Sequence, residues 1–174
     1  ETIRHSLAHI LAYAVQDLWP GTKFGIGPAI ENGFYYDFGL PGPISENDLP
    51  KIEKKMQELI KQNIGFEKKE IAELGGKEIF KNQPYKLELL NQVKQPTIYK
   101  SGGFVDLCAG PHVRSTKEIP ADGFKLTKTA GAYWRGSEKN PMLTRIYGVA
   151  FPNEKELKNH LKLQEEAGKR DHRI

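Results

Sequence analysis

Apolar residues fall into helix-like and strand-like runs separated by glycine and proline. From Ile3 to Trp19, the residues Ile3, Leu7, Ile10, Leu11, Ala14, Val15 and Leu18 recur at helical spacing, which predicts a first helix. Pro20-Gly21 ends it. Lys23 to Ile30 is Gly-rich and extended. Glu31-Asn32-Gly33 is a hairpin-type turn into the strand Phe34-Tyr35-Tyr36-Asp37-Phe38. Gly39 to Pro43 reads as a linker. Ser45 or Asp48 caps a second helix over Leu49 to Asn63, with Ile52, Met56, Leu59 and Ile60 on one face. Phe66 to Ile71 suits a short strand, and Gly75 to Phe80 and Tyr85 to Asn91 suit short helices. Further strands are expected at Thr97 to Tyr99, Phe104 to Leu107, Gly123 to Thr129 and Met142 to Phe151, with residues 130–136 as a connection. Asn153 caps a last helix with Leu157 and Leu161 on one face. No internal repeat is visible.

Composition adds exclusions. The 174 residues are 38% apolar and 28% charged, a globular balance. The single cysteine, Cys108, excludes an internal disulfide framework and a multi-cysteine metal cluster. No apolar run approaches the roughly 20 residues of a bilayer helix, and no signal peptide is seen, so a soluble, cytoplasmic protein is expected. The chain lacks an initiator Met and runs to Ile174 in a charged helical stretch, as a module of a longer chain would. The net charge of +4 is unevenly spread: residues 94–145 carry +5 and residues 1–93 carry −2. A basic third can face phosphates, or can be solvated lysine.

The chemistry concentrates in two pairs. His5 and His9 share a face of the first helix, one turn apart. Cys108 and His112 repeat that spacing on a loop, because Gly110-Pro111 opposes a helix. Four such groups match the ligand count of zinc, or an acid/base and binding set without metal. Single histidines and buried cysteines are commonly packing residues. Asp106, Cys108 and His112 together on one Gly/Pro loop are costly to place for packing alone.

These residues carry a resemblance. The stretches 4–38 (RHSLAHIL…FYYDF), 104–113 (FVDLCAGPHV), 124–136 (FKLTKTAGAYWRG), 143–151 (LTRIYGVAF) and 169–173 (KRDHR) resemble the second N-terminal domain of bacterial-type threonyl-tRNA synthetase, its editing domain. Only residues 40–84 match loosely. The paired motifs alone are shared with alanyl-tRNA editing domains; the long flanking segments favour the threonyl family.

The resemblance implies an aminoacyl-tRNA hydrolase that clears serine from Ser-tRNA(Thr). One methyl group discriminates by only about 1–3 kcal/mol in a pocket, so a second site that excludes threonine is needed. It implies His5 as base or water-positioning group, Lys86 beside it as base or charge stabiliser, Asp106 gripping the α-ammonium, and His112 orienting water or the ribose hydroxyl. His9 and Cys108 line the site. Gly27, Pro28 and Tyr36 form the substrate wall, although a strand aromatic and a turn need no function. Lys125, Lys128 and Arg135 meet the tRNA 3′ CCA end, and Trp134 is a core residue. Residues alone would make Lys86 a surface lysine. No cofactor is expected; zinc at His5, His9, Cys108 and His112 is the alternative, as in an alanyl-type deacylase. A non-catalytic tRNA-binding module is the remaining alternative.

The expected fold is α/β (α+β), a mostly antiparallel sheet around the His-bearing helix. Residues 1–43 and 92–152 would form the core, 44–91 an inserted α/β lobe, and 153–174 a linker helix toward an aminoacylation domain. The chain alone would be monomeric, and the full synthetase a homodimer.

Overall fold

The computed structural model describes residues 2–108 and 110–171. Helix α1 spans Thr2–Leu18 and is the centre of the molecule. Ser6 to Ala12, with Ala14 and Val15, are all buried, so the helix is enclosed around much of its girth.

The larger sheet wraps one side of it. Strands β1 (Lys23–Phe24), β2 (Ala29–Ile30) and β3 (Gly33–Gly39) follow in order. The β2–β3 hairpin turns through Glu31-Asn32, with Asn32 left-handed at φ 58°. Strand β7 (Phe124–Tyr133) and β8 (Met142–Ala150) complete the sheet, in the order β1-β3-β8-β7, with every pairing antiparallel. Alternation along β3 sends Phe34, Tyr36 and Phe38 into the core. On the outer face, Tyr35 pairs with Tyr147, and the Arg145 guanidinium clasps Asp37 at 2.7 and 3.0 Å. Gly148 is required opposite Phe34, because a Cβ there would stand 2.4 Å from the ring.

Helix α2 (Leu49–Lys61) is preceded by a 3-10 turn over Glu46–Asp48, closed by a Ser45/Asp48 capping box. Leu49, Ile52, Met56, Leu59 and Ile60 bury its apolar face in the same core as α1. A second sheet, β4 (Glu67–Glu70), β5 (Thr97–Ser101) and β6 (Phe104–Leu107), is also antiparallel. Helices α3 (Glu73–Ile79) and α4 (Pro84–Leu90) link β4 to β5. Helix α5 (Glu154–Asp171) starts where Asn153 Oδ1 accepts the Glu156 N–H at 2.9 Å.

Two expectations are corrected. Residues 44–91 do not stand apart as a lobe: α2 shares the core with α1, and β4 pairs with β5. The hydrophobic face of α2 needs a partner, and α1 supplies it. Strand β7 also runs on through Ala130-Gly131-Ala132 to Tyr133, paired with Met142, rather than stopping at Thr129. Its second half is largely exposed and rich in small residues, so the ladder to β8, not side-chain propensity, holds it. His172 and Arg173 of the expected linker lie outside the described residues. Among the described residues, no helix is long and apolar enough to cross a membrane.

Candidate active site

The first turns of α1 lie against β6 and the segment that follows it, so the two sequence pairs meet. His5 is half-buried, and its Nε2 lies 3.4 Å from Cys108 Sγ. The His5 and His112 rings are 4.5 Å apart. His9, one turn deeper, is 1% exposed, with Nε2 2.5 Å from Ser101 Oγ and its ring edge-on to Phe104. Tyr99 meets the His112 ring edge-on at 4.4 Å. Gly110 precedes Pro111 in a cis peptide, and its N–H donates to Cys108 Sγ at 3.3 Å.

The four-residue zinc set is therefore not assembled. Donor atoms of His5, Cys108 and His112 lie within 4.8 Å of one another, but His9 is engaged with Ser101. Three donors would leave an open fourth position, as in catalytic zinc sites. Without a metal, burial, reinforced by Asp106, pushes the Cys108 thiol up to about 11; zinc there would displace its proton.

A second cluster lies beside the first. Lys86 on α4 is 3% exposed, not on the surface. Its Nζ lies 2.6 Å from Asp106 Oδ1, on β6. Tyr36 Oη, on β3, donates to Asp106 Oδ2 at 2.9 Å. Burial alone would raise the Asp106 carboxyl; the Lys86 ammonium, aided by His9 and the Tyr36 hydroxyl, overrides it and holds the group below the usual range. Burial pushes the Tyr36 phenol well up, so it remains a donor.

The position of Lys86 is set from outside the cleft. Gln83, just before α4, accepts the Phe24 N–H at 2.9 Å and donates to Thr22 O at 3.2 Å. On α4 itself, Glu88 accepts Trp134 Nε1–H at 2.7 Å, and Tyr85 packs on the Trp134 ring at 4.9 Å. Trp134 is buried, as expected of a core residue.

The clusters open onto a cleft with two chambers. One, of about 210 Å³, is bounded by His5, Gly27, Pro28, Lys86, Asp106 and Cys108. The other, of about 300 Å³, shares His5 and Pro28 and reaches Gly110-Pro111. Gly27 is packed on Tyr36, where a Cβ would come 2.1 Å from the ring. Tyr36, expected as substrate wall, is thus buried beneath that wall and reaches the cleft through Asp106. Lys125, Lys128 and Arg135 do not line either chamber. Lys125 and Lys128 are exposed on β7, Lys128 Nζ lying 4.8 Å from the Tyr147 ring centre. Arg135, left-handed at φ 56°, lies 3.8 Å from Glu88.

Sequence reasoning missed Ser6, Ser101 and Tyr99. Ser6 sits between the two histidines in HSLAH and could have been suspected. Ser101 and Tyr99 carry no local signal; the β5–β6 pairing brings them in.

The buried histidines make stability acid-sensitive. Burial lowers His9 to about 4 and His112 to about 3, from 6.5. The unfolded chain therefore binds protons first as pH falls. Stability is full above about pH 6.5 and declines as pH drops toward 4, by a few kcal/mol in all. Urea unfolding between pH 4 and 7 should show this slope, and His112→Asn should flatten it.

Residues 97–147, from β5 into β8, match the family described as the threonyl and alanyl tRNA synthetase second additional domain. The chain is 56% identical over 178 residues to the threonine–tRNA ligase of Thermotoga neapolitana, covering 99% of this chain and 28% of that protein. It is 53% identical over 175 residues to that of Dehalococcoides mccartyi, covering 99% and 30%. Against the Borreliella burgdorferi enzyme it is 54% identical over 173 residues, covering 98% and 30%. The chain thus belongs to the second additional domain family of the threonyl and alanyl tRNA synthetases. Within that class its likeness is to the threonyl members, as the editing-domain segment of bacterial threonine–tRNA ligases. It spans less than a third of the length of these relatives.

Proposed function

We propose that this chain hydrolyses the ester that joins serine to the 3′-terminal adenosine of tRNA(Thr). The observation that carries this reading is the buried Lys86–Asp106–Tyr36 network, opening beside His5 onto a two-chambered cleft. The smaller chamber suits the seryl group and the other the ribose end. Water held by His5 attacks the ester carbonyl, the bond to the ribose oxygen breaks, and that oxygen takes up the proton that His5 removed from the water. His5 guides the attacking water and receives its proton. Lys86 acts as ammonium, stabilising charge that develops on oxygen. It is not the base, because its proton is committed to Asp106. Asp106 has lone pairs left for the substrate α-ammonium. His112 orients water or the ribose hydroxyl, and His9 and Cys108 support these groups. The backbone wall at Gly27-Pro28 contacts the serine, and a β-methyl collides with it.

The reading is metal-free. Zinc, if bound, would sit on His5, Cys108 and His112 and lower the pKa of a bound water. Single-turnover deacylation of Ser-tRNA(Thr) and Thr-tRNA(Thr), with chelator-treated protein and metal analysis, tests both points. Selective loss of serine without stoichiometric zinc is expected. Activity that tracks zinc content would favour the alanyl-type reading, and a rate equal to the uncatalysed one would favour a binding module.

The partner is the serine-charged tRNA, met by Lys125, Lys128 and Arg135 along its backbone. Lys128→Ala should weaken tRNA binding and reduce the slope of log K against log salt by about 1. An unchanged slope removes Lys128 from the interface. The remainder of the synthetase, a dimer in that setting, is the other partner; the chain by itself would sediment as a monomer in the cytoplasmic milieu.

A further inference from the structure

Ser6 is 0% exposed and lies on the buried side of α1, next to His5 in the chain and one turn before His9. Its hydroxyl has three neighbours. Thr2 O lies at 2.8 Å, the Val113 N–H at 3.0 Å, and His112 Nδ1 at 3.1 Å. A hydroxyl has one proton and two lone pairs. The Thr2 carbonyl can only accept, so the Ser6 proton goes there. The Val113 N–H can only donate, so it takes one lone pair. The second lone pair faces His112 Nδ1, which must carry a proton to bond with it. The reverse arrangement, with the Ser6 proton on His112, would leave two oxygens facing each other at 2.8 Å without a proton between them.

We infer that Ser6 is a positioning residue that fixes His112 as its Nδ1–H tautomer, leaving Nε2 as a bare acceptor. Nε2 is buried and has no hydrogen-bond partner among the described residues, so a second proton there would be unsatisfied. The His112 ring packs against His5, His9 and Tyr99, which leaves it little freedom to flip. This inference rests on the hydrolase reading and sharpens it. With Nε2 bare, His112 can serve the reaction only by accepting a hydrogen bond from water or the ribose hydroxyl, and because that atom is buried the donor must first uncover it. His112 is not the acid that protonates the leaving ribose oxygen.

Two-bond proton–nitrogen correlation spectra of the ¹⁵N-labelled chain report the tautomer directly. The wild type should show His112 protonated at Nδ1 and bare at Nε2. Free imidazole side chains favour the opposite form, so Ser6→Ala should move His112 toward Nε2–H. Ser6→Ala should also slow single-turnover deacylation of Ser-tRNA(Thr) roughly tenfold, the loss of one orienting hydrogen bond. Added to His112→Ala, it should cost nothing further. A wild-type spectrum with His112 protonated at Nε2 overturns the assignment, and needs no variant to fold. So does a Ser6→Ala spectrum identical to wild type. An Nδ1–H wild type that leaves Ser-tRNA(Thr) intact would instead overturn the hydrolase reading and leave the tautomer standing.

Discussion

Lys86→Met is expected to lower stability by about 3–5 kcal/mol and to abolish ester hydrolysis, the largest combined effect of any substitution in this chain. Both partners of the Lys86–Asp106 pair are nearly out of water, at 3% and 6% exposure. Removing the ammonium leaves Asp106 with only the Tyr36 hydroxyl and the rim of the cleft. An unpaired buried carboxylate either takes up a proton or pulls in water, and each outcome costs the fold. The effects separate in the double variant Lys86→Met with Asp106→Asn. That variant removes both charges, so much of the stability should return. Hydrolysis should not return, because the cation beside the ester is still missing. Urea titrations of the three variants with matched single-turnover assays provide the check. A fully active Lys86→Met protein would contradict the role given to Lys86.

His5→Ala is expected to behave in the opposite way. The side chain is half-buried and sits at the mouth of the cleft, where its Nε2 has Cys108 Sγ as a neighbour. Truncation should change the melting temperature little. It should slow deacylation by roughly 10²–10⁴-fold, the usual worth of a positioned acid or base. The burden on His5 is clear from its neighbours. His9 is sealed behind Ser101, Cys108 keeps its proton, and Lys86 is tied to Asp106. A His5→Ala rate within threefold of wild type would hand the water to another group.

Much of the fold was legible because helices and strands here follow simple periods. The i, i+3, i+4 pattern of α1 and the alternation of β3 predict both elements and their buried faces. The exposed end of β7 carries no such pattern, and only its partner β8 makes it a strand. The separate lobe failed for a related reason: local periodicity shows that α2 has an apolar face, not what covers it. The site was legible where chemistry is dense, at His5, His9, Cys108 and His112. Lys86 illustrates the limit. Nothing around Tyr85-Lys86-Leu87 distinguishes a solvated lysine from a buried one, and only the resemblance to a known family singled it out. Its burial follows from contacts with residues 20 to 50 positions away.

Helix α4 has seven residues, too few to hold its shape alone. Its rigidity is borrowed from the tryptophan of the AYWRG turn, through Glu88 and Tyr85. Proofreading in a lineage can therefore decay by an indirect route. Drift at Trp134 or Glu88 would loosen the lysine while every residue that touches the ester stays intact. On the proposed function, such a domain would keep its signature motifs and lose its accuracy, so the motifs alone would not report whether it edits.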